Sequence, residues 1–209
     1  GEVLTKIKGE KLSAQTVSRI ARSLDAEVWL FHHRPLADIY QYLFFDGISL
    51  KARGASTVQN RQVLCAYGIT WGGVKELINF RQAADESEAK WEAFLRDLYE
   101  RGLEGKGCLL IITDGSPGLH RALETVYPYV SRQRCWVHKL RNVANKLPKR
   151  DLEECMAGAH LIYLANNRNE AVRNYKDWER RWDHLYPRAV DCLRKDLDEL
   201  LNFFDIPLT

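Results

Sequence analysis

Two aspartates stand in stretches that otherwise read as buried strand. Asp46 lies within Tyr42-Leu-Phe-Phe-Asp-Gly-Ile-Ser-Leu50, and Asp114 ends the run Cys108-Leu-Leu-Ile-Ile-Thr-Asp114. A carboxylate drawn into an apolar strand is costly unless a cation meets it there. A fold that accommodates both therefore has reason to bring them to a shared cation. That requirement points to metal-dependent chemistry on phosphate.

The periodicity around these residues supplies the rest of the fold. From Tyr40 to Arg53 the chain alternates with period two, placing Tyr42, Phe44, Asp46, Ile48 and Leu50 on one face and Ser49 and Lys51 on the other. Asp46 is thus expected on the apolar face. A second strand is predicted over 60–71, a tight turn at Gly72-Gly73, and a third strand over 74–80. A helix over about 86–101 carries Trp91, Phe94, Leu95, Leu98 and Tyr99 on one stripe, with Gly102 as its terminator. The continuously apolar 108–113 predicts a central strand covered on both faces. Ser116 and Pro117 then suit the cap and first position of a helix running to about Val126. Asp114 falls at the carboxyl end of its strand, where open α/β sheets hold ligands. A fifth strand is predicted over 129–135, and helices from His138 onward, including 151–164, 169–184 and 188–204.

At the other end, Ser13 is a cap for a helix with Val17, Ile20, Ala21 and Leu24 on one stripe. Val3, Leu4 and Ile7 suggest the end of a preceding helix. This is the outline of a helix-turn-helix, with Gln15, Thr16, Ser18, Arg19 and Arg22 free to face a nucleic-acid groove; an ordinary helical hairpin has the same outline. The expected organisation is a helix-turn-helix remnant and linker over 1–38, an α/β core over 39–137 and a helical region over 138–209. The order β-β-β-α-β-α-β is that of a ribonuclease H-like core. In such a core the first strand lies beside the strand after the first helix, so Asp46 and Asp114 approach each other.

Composition limits the alternatives. The 209 residues suffice for one full-sized domain with an appendage. No apolar run approaches the roughly 20 residues of a membrane span, and no signal peptide is evident. The five cysteines are scattered and odd in number, which reads as a reduced, cytosolic setting rather than a disulfide framework. The net charge is only +3, but Arg132, Arg134, Lys139, Arg141, Lys146, Lys149 and Arg150 crowd a stretch from 131 to 150 with no acid in it. Such a stretch is either a polyanion contact or a solvated helix face. Arg132, Arg134, Lys139 and Arg141 are the candidate phosphate contacts.

The two aspartates suit Mg²⁺ (or Mn²⁺), which prefers hard oxygen ligands and keeps several waters. A pair of such ions can activate an attacking oxygen and stabilise a leaving one at a phosphodiester. Asp46 would bridge both ions and Asp114 would hold one; a third carboxylate is expected to complete the set. The Cys135-Trp-Val-His138 spacing would serve two zinc ligands. Its obvious partners, Cys155 and His160, diverge by about 140° on one helix. A buried strand-end thiol and a histidine able to reach the acidic site or a phosphate is the favoured reading.

Three stretches together closely resemble the Mutator-type transposases of bacterial insertion sequences. They are Tyr42-Leu-Phe-Phe-Asp-Gly-Ile-Ser-Leu-Lys-Ala-Arg53, Asp114-Gly-Ser-Pro-Gly-Leu-His-Arg-Ala-Leu123, and Gln133-Arg-Cys-Trp-Val-His-Lys-Leu-Arg-Asn142. Leu12-Ser-Ala-Gln-Thr-Val-Ser-Arg19 and Arg34-Pro-Leu36 add to the likeness. The resemblance implies a DDE triad on a ribonuclease H-like fold, interrupted by a helical insertion. Asp46 takes the place of the first aspartate and Asp114 of the second, while Cys135 and His138 match the family's C-x-x-H signature and 139–209 the insertion. It also implies DNA transposition in a bacterial cytoplasm at the nucleoid, with inverted-repeat ends and target DNA as partners and a homo-oligomeric complete enzyme. The third carboxylate is expected beyond Thr209, so the chain is read as truncated at both ends and inactive alone. The alternatives are a non-catalytic DNA-binding relic or repressor, and a stand-alone nuclease that draws its third acid from within the chain.

Overall fold

The computed structural model describes residues 13–53 and 58–206. Three strands, β1 (Tyr40–Arg53), β2 (Val58–Thr70) and β3 (Lys75–Ala83), form an antiparallel meander. The turn between β2 and β3 works because Gly73 adopts φ +77°, a region that L side chains rarely enter. There the Gly73 amide donates to the Thr70 carbonyl at 2.9 Å. β4 (Leu110–Thr113) pairs parallel with β1, and β5 (Arg132–Arg134) parallel with β4, giving the order β3-β2-β1-β4-β5.

Two crossover helices, α2 (Glu88–Glu100) and α3 (Pro117–Val126), follow β3 and β4. Trp91, Phe94, Leu95 and Leu98 of α2 and Leu119 and Leu123 of α3 meet Leu43, Phe45, Leu64, Ile78 and Ile111 of the sheet in one core. Each of these large apolar side chains contributes about 1.5–3 kcal/mol by leaving water. Gly118 permits the close seating of α3 under the loop before α2: a methyl there would come within 2.6 Å of the Glu86 carbonyl oxygen.

A second core belongs to α4 (Trp136–Ala144), α5 (Lys149–Tyr163), α6 (Arg168–Trp182), α7 (Pro187–Arg194) and α8 (Leu197–Leu200), followed by a 3₁₀ turn at Asn202–Asp205. Leu140, Val143, Cys155, Ile162, Trp178, Trp182, Val190 and Leu193 fill it. The helices are tied to the sheet by β5 and its successor. The Gln133 amide donates to the Leu200 carbonyl at 2.9 Å and accepts from the Phe203 amide at 3.0 Å. Trp136 donates its indole N–H to the same Leu200 carbonyl at 2.8 Å.

Several expectations need correction. The fully buried face of β1 is that of Leu43 and Phe45, not that of Tyr42, Phe44 and Asp46, which is half-buried. Helices α2 and α3 cover the former. The latter borders an open groove of about 650 Å³ that Leu110, Ile112, Trp136 and Ile206 help to line. Tyr99 is 42% exposed rather than on the buried stripe of its helix, where it meets Tyr127 edge-on. The helix of 188–204 is broken after Lys195, where Asp196 takes φ −120° and its carboxylate turns to Lys139. Within the predicted helix-turn-helix and linker region, the first helix, α1 (Ala14–His33), runs on until His32 Nδ1 reaches Asn79 Oδ1 at 2.7 Å, leaving only residues 34–39 to connect it to β1. Ser13 caps α1 by accepting from the Thr16 amide. The preceding helix at Val3, Leu4 and Ile7 lies outside the described residues. Among the described residues no helix is long and apolar enough to cross a membrane.

Candidate active site

The last residue pair of the parallel β1–β4 ladder is Phe45 with Thr113. Asp46 is the next residue of β1, and Asp114 the first residue past the end of β4. Because side chains alternate, both leave on the face that carries Phe44 and Ile112. They line one cleft of about 190 Å³ with Tyr67, Lys75, Cys135 and His138. Two carboxylates far apart in sequence thus meet where the parallel β1–β4 ladder ends, Asp114 just past β4 and Asp46 in the middle of β1.

The turn after β4 is held tightly. Asp114 Oδ1 accepts from the Ser116 amide at 2.8 Å, so the carboxylate also closes the turn into α3; the Ser116 side chain makes no capping bond of its own. Gly115 has φ +83°, and the Arg134 guanidinium lies over it, donating to the Gly115 carbonyl at 3.0 Å. A methyl at Gly115 would overlap that guanidinium at 1.6 Å. The Cys135 amide donates to the Thr113 carbonyl at 2.8 Å, which brings the start of α4 beside the acidic pair.

His138 stands in the first turn of α4, with its Nδ1 buried and, among the described residues, without a hydrogen-bond partner. Burial pushes the Asp46 carboxyl above the usual carboxylate range. The nearby His138 opposes that shift, Asp114 adds to it, and the Gly47 amide and Arg141 pull the other way. The cysteine and histidine of the C-x-x-H stretch are therefore brought to the same cleft as the aspartates.

The candidate phosphate contacts separate into two kinds. Lys139 is only 4% exposed; it forms an ion pair with Asp196 and donates to the Cys192 carbonyl at 3.0 Å. It is a structural cation, not a surface contact, and the sequence reading is corrected there. Arg134 is largely buried over Gly115 and lies 3.5 Å from Asp196. Arg132 turns to the His120 carbonyl and to Glu124, at 3.5 and 3.6 Å. Arg141 is exposed and near enough to Asp46 to hold its carboxyl down. Gln15 and Arg19 are exposed on α1 and line a separate cleft of about 430 Å³ with Thr16, Ser18 and Arg22.

Three residues escaped the sequence reading. Tyr67 and Lys75 reach the cleft from β2 and β3, Lys75 with its ammonium 5.3 Å from the Tyr67 ring centre. Strand pairing gave a signal for Tyr67, which sits opposite Phe44. The third is Glu86. The sequence predicts it as the first residue of a helix that begins two residues later, at Glu88. Its carboxyl group rests over Gly47, and its proton affinity is raised by burial and then by Asp114 and Asp46.

Among the described residues no three His, Cys, Asp or Glu side chains form a ready-made metal cluster. The donor chemistry of the aspartate pair nevertheless suits a hard divalent cation. It offers oxygens only, half-buried, at a strand end, with like charges that a cation would reconcile.

The Mutator family of transposases matches residues 1–209. The chain is similar to the transposase of insertion sequence element ISRM5 of Rhizobium meliloti (strain 1021), 32% identical over 98% of this chain and 51% of that protein. It is also similar to the transposase of element IST2 of Acidithiobacillus ferrooxidans, 42% identical over 69% of this chain and 49% of that one. The chain thus spans about half the length of these curated relatives. Among solved structures, the Mos1 transposase paired-end complex with left transposon end aligns with 93% of this chain and 63% of its own at 11% identity. Its TM-score of 0.33 is too low to carry weight.

Proposed function

The chain belongs to the Mutator family of transposases, and from that membership we propose that it carries the paired-aspartate part of a metal-dependent site for DNA cleavage and strand transfer. The observation that carries this reading is the emergence of Asp46 and Asp114 into one cleft at the end of the parallel β1–β4 ladder. We read the five-stranded sheet with its two crossover helices as a ribonuclease H-like core, α1 as part of a DNA-binding unit, and the helices after β5 as an insertion.

Each residue has a task in this proposal. Asp46 and Asp114 hold Mg²⁺ or Mn²⁺, which when bound would supply Lewis-acid activation of water or a 3′-hydroxyl and charge neutralisation at the phosphodiester. Asp114 is oriented by the Ser116 amide, so its free oxygen is presented rather than left to rotate. His138, with a buried Nδ1 that lacks a hydrogen-bond partner among the described residues, is available to orient a phosphate or water beside Asp46. Arg141 is exposed on the same helix and provides a phosphate contact at the rim. DNA, as element ends and target, is the proposed partner, with a homo-oligomer in the complete protein.

Calorimetric titration with Mn²⁺ tests the proposal. Binding by the chain is expected, and Asp46→Asn and Asp114→Asn should each remove it while the protein stays folded. The competing reading is a DNA-binding relic without chemistry. It requires DNA binding that ignores both the metal and the two substitutions.

A further inference from the structure

Glu86 holds its carboxyl group against the backbone immediately after Asp46. A methyl at Gly47 would sit 2.3 Å from Glu86 Cδ and from Oε2, and 2.5 Å from Oε1. The space that any other residue at 47 would fill is occupied by a carboxylate. The backbone that delivers it is fixed as well, since the Glu86 carbonyl oxygen lies 2.6 Å from where a methyl on Gly118 would be. Two glycines on different elements, one in β1 and one in the first turn of α3, thus admit the same glutamate.

This placement is not that of a capping acid. Ser87 occupies the cap position of α2, and Asp85, not Glu86, accepts from the Ser87 amide. Nor, among the described residues, is it a salt bridge: the ion pair in this region runs from Arg121 to Glu88. The charges that act on Glu86 most are those of Asp114 and Asp46, both of its own sign. A partly buried carboxylate pressed toward two others is unfavourable in the protein alone. It becomes favourable when a cation sits among them.

We infer that Glu86 is a positioning residue for the divalent cation proposed at Asp46 and Asp114, acting through the ion's water shell rather than as a ligand. Side chains alternate across β1, so a group over Gly47 stands on the opposite side of the strand tip from the Asp46 carboxylate. That geometry suits contact with a bound water, and Mg²⁺ retains several. Such outer partners orient the inner ligands and tune affinity. The inference rests on the two-aspartate reading, and its test separates the two.

Mn²⁺ affinity would be measured by calorimetry on the same chain carrying Glu86→Gln, which fills the Gly47 recess equally, with the metal-free thermal midpoint followed alongside. Affinity is expected to fall roughly tenfold, with no loss of metal-free stability. Asp85→Asn, one residue away and exposed, should change neither. Unaltered affinity in Glu86→Gln, or an equal fall in Asp85→Asn, would overturn the role of Glu86. If Asp46→Asn and Asp114→Asn retain full affinity, or the chain takes up no Mn²⁺, the underlying site is wrong and Glu86 falls with it. If both aspartates matter and Glu86→Gln does not, only the present inference fails.

Discussion

Lys139 and Asp46 are both charged groups drawn out of open water, and the chain treats them in opposite ways. Lys139, almost fully buried, meets Asp196 and a backbone carbonyl at the junction between the sheet and the helices, with Arg134 beside them. The two cations there share Asp196 and lean on backbone carbonyls, although Arg134 Nε is buried without a hydrogen-bond partner among the described residues. At the strand tips, Asp46, Asp114 and Glu86 crowd together with like sign, and His138 offers a buried nitrogen with no hydrogen-bond partner among the described residues. The first arrangement joins opposite charges and holds two parts of the fold together. The second is tolerable only with something added, which is what a ligand site looks like before its ligand arrives.

The sharpest way to break this contrast is at the junction. Lys139→Ala leaves the partly exposed Asp196 with Arg134 alone and should cost about 3 kcal/mol, the low end of the range for breaking a buried pair. Urea or thermal unfolding would measure it. A double change to a well-packed apolar pair at 139 and 196 should recover most of that loss. If Lys139→Ala unfolds like the parent, the junction is not held by charge.

At the strand tips the sign reverses. Asp46→Asn should raise the metal-free thermal midpoint at pH 7 by roughly 2–4 °C, the shift that about 1 kcal/mol makes in a chain of this size. The gain should depend on pH in a defined direction. The folded state raises the proton affinity of Asp46 and Glu86, so it binds protons more tightly than the unfolded chain. The destabilisation is then absent below the unfolded values of about 3.9 and 4.3. It grows as pH rises through the higher folded values. The difference in midpoint between parent and Asp46→Asn should vanish near pH 3.5 and widen toward neutrality, and millimolar Mg²⁺ should close it for the parent. A constant difference at every pH would contradict the electrostatic account.

The smallest effects belong to the arginines. Arg141→Ala should lower the dependence of log DNA affinity on log salt by about one unit, as expected for one lost phosphate contact. Arg132→Ala should leave that slope unchanged and alter stability by no more than about 1 kcal/mol, since its partner Glu124 is half exposed. Anisotropy titrations at several salt concentrations compare the two directly.

What could be seen in the sequence follows the range of the interactions. The meeting of Asp46 with Asp114 was legible because strand order and side-chain parity are local properties; once β1 and β4 pair, nothing further is needed. The Ser13 cap and the Gly72-Gly73 turn were legible for the same reason. Lys139 was misread because charge counting registers its basic neighbours but not Asp196, 57 residues later in the chain. That same demand on Asp196 accompanies the break in the helical periodicity of 188–204. Glu86 was invisible because its position depends on two glycines, Gly47 and Gly118, whose significance is the absence of a side chain. The wrong choice of buried face on β1 came from the sequence around Asp46, where both faces are apolar near the strand's start; only the seating of α2 and α3 decides between them.

The ladder between β1 and β4 ends at Phe45, whereas β1 continues paired with β2 alone through Arg53. Through Ser49 its partner β2 is still paired with β3, so the two-stranded ribbon is Leu50–Arg53 with Val58–Arg61, about 13 Å long at the usual rise per residue, with Leu50 half exposed on it. Two-stranded ribbons twist more readily than sheets. The ribbon begins four residues beyond Asp46, so torque applied by whatever grips it runs back along β1, past the part braced by β3, toward the peptide that aims this carboxylate.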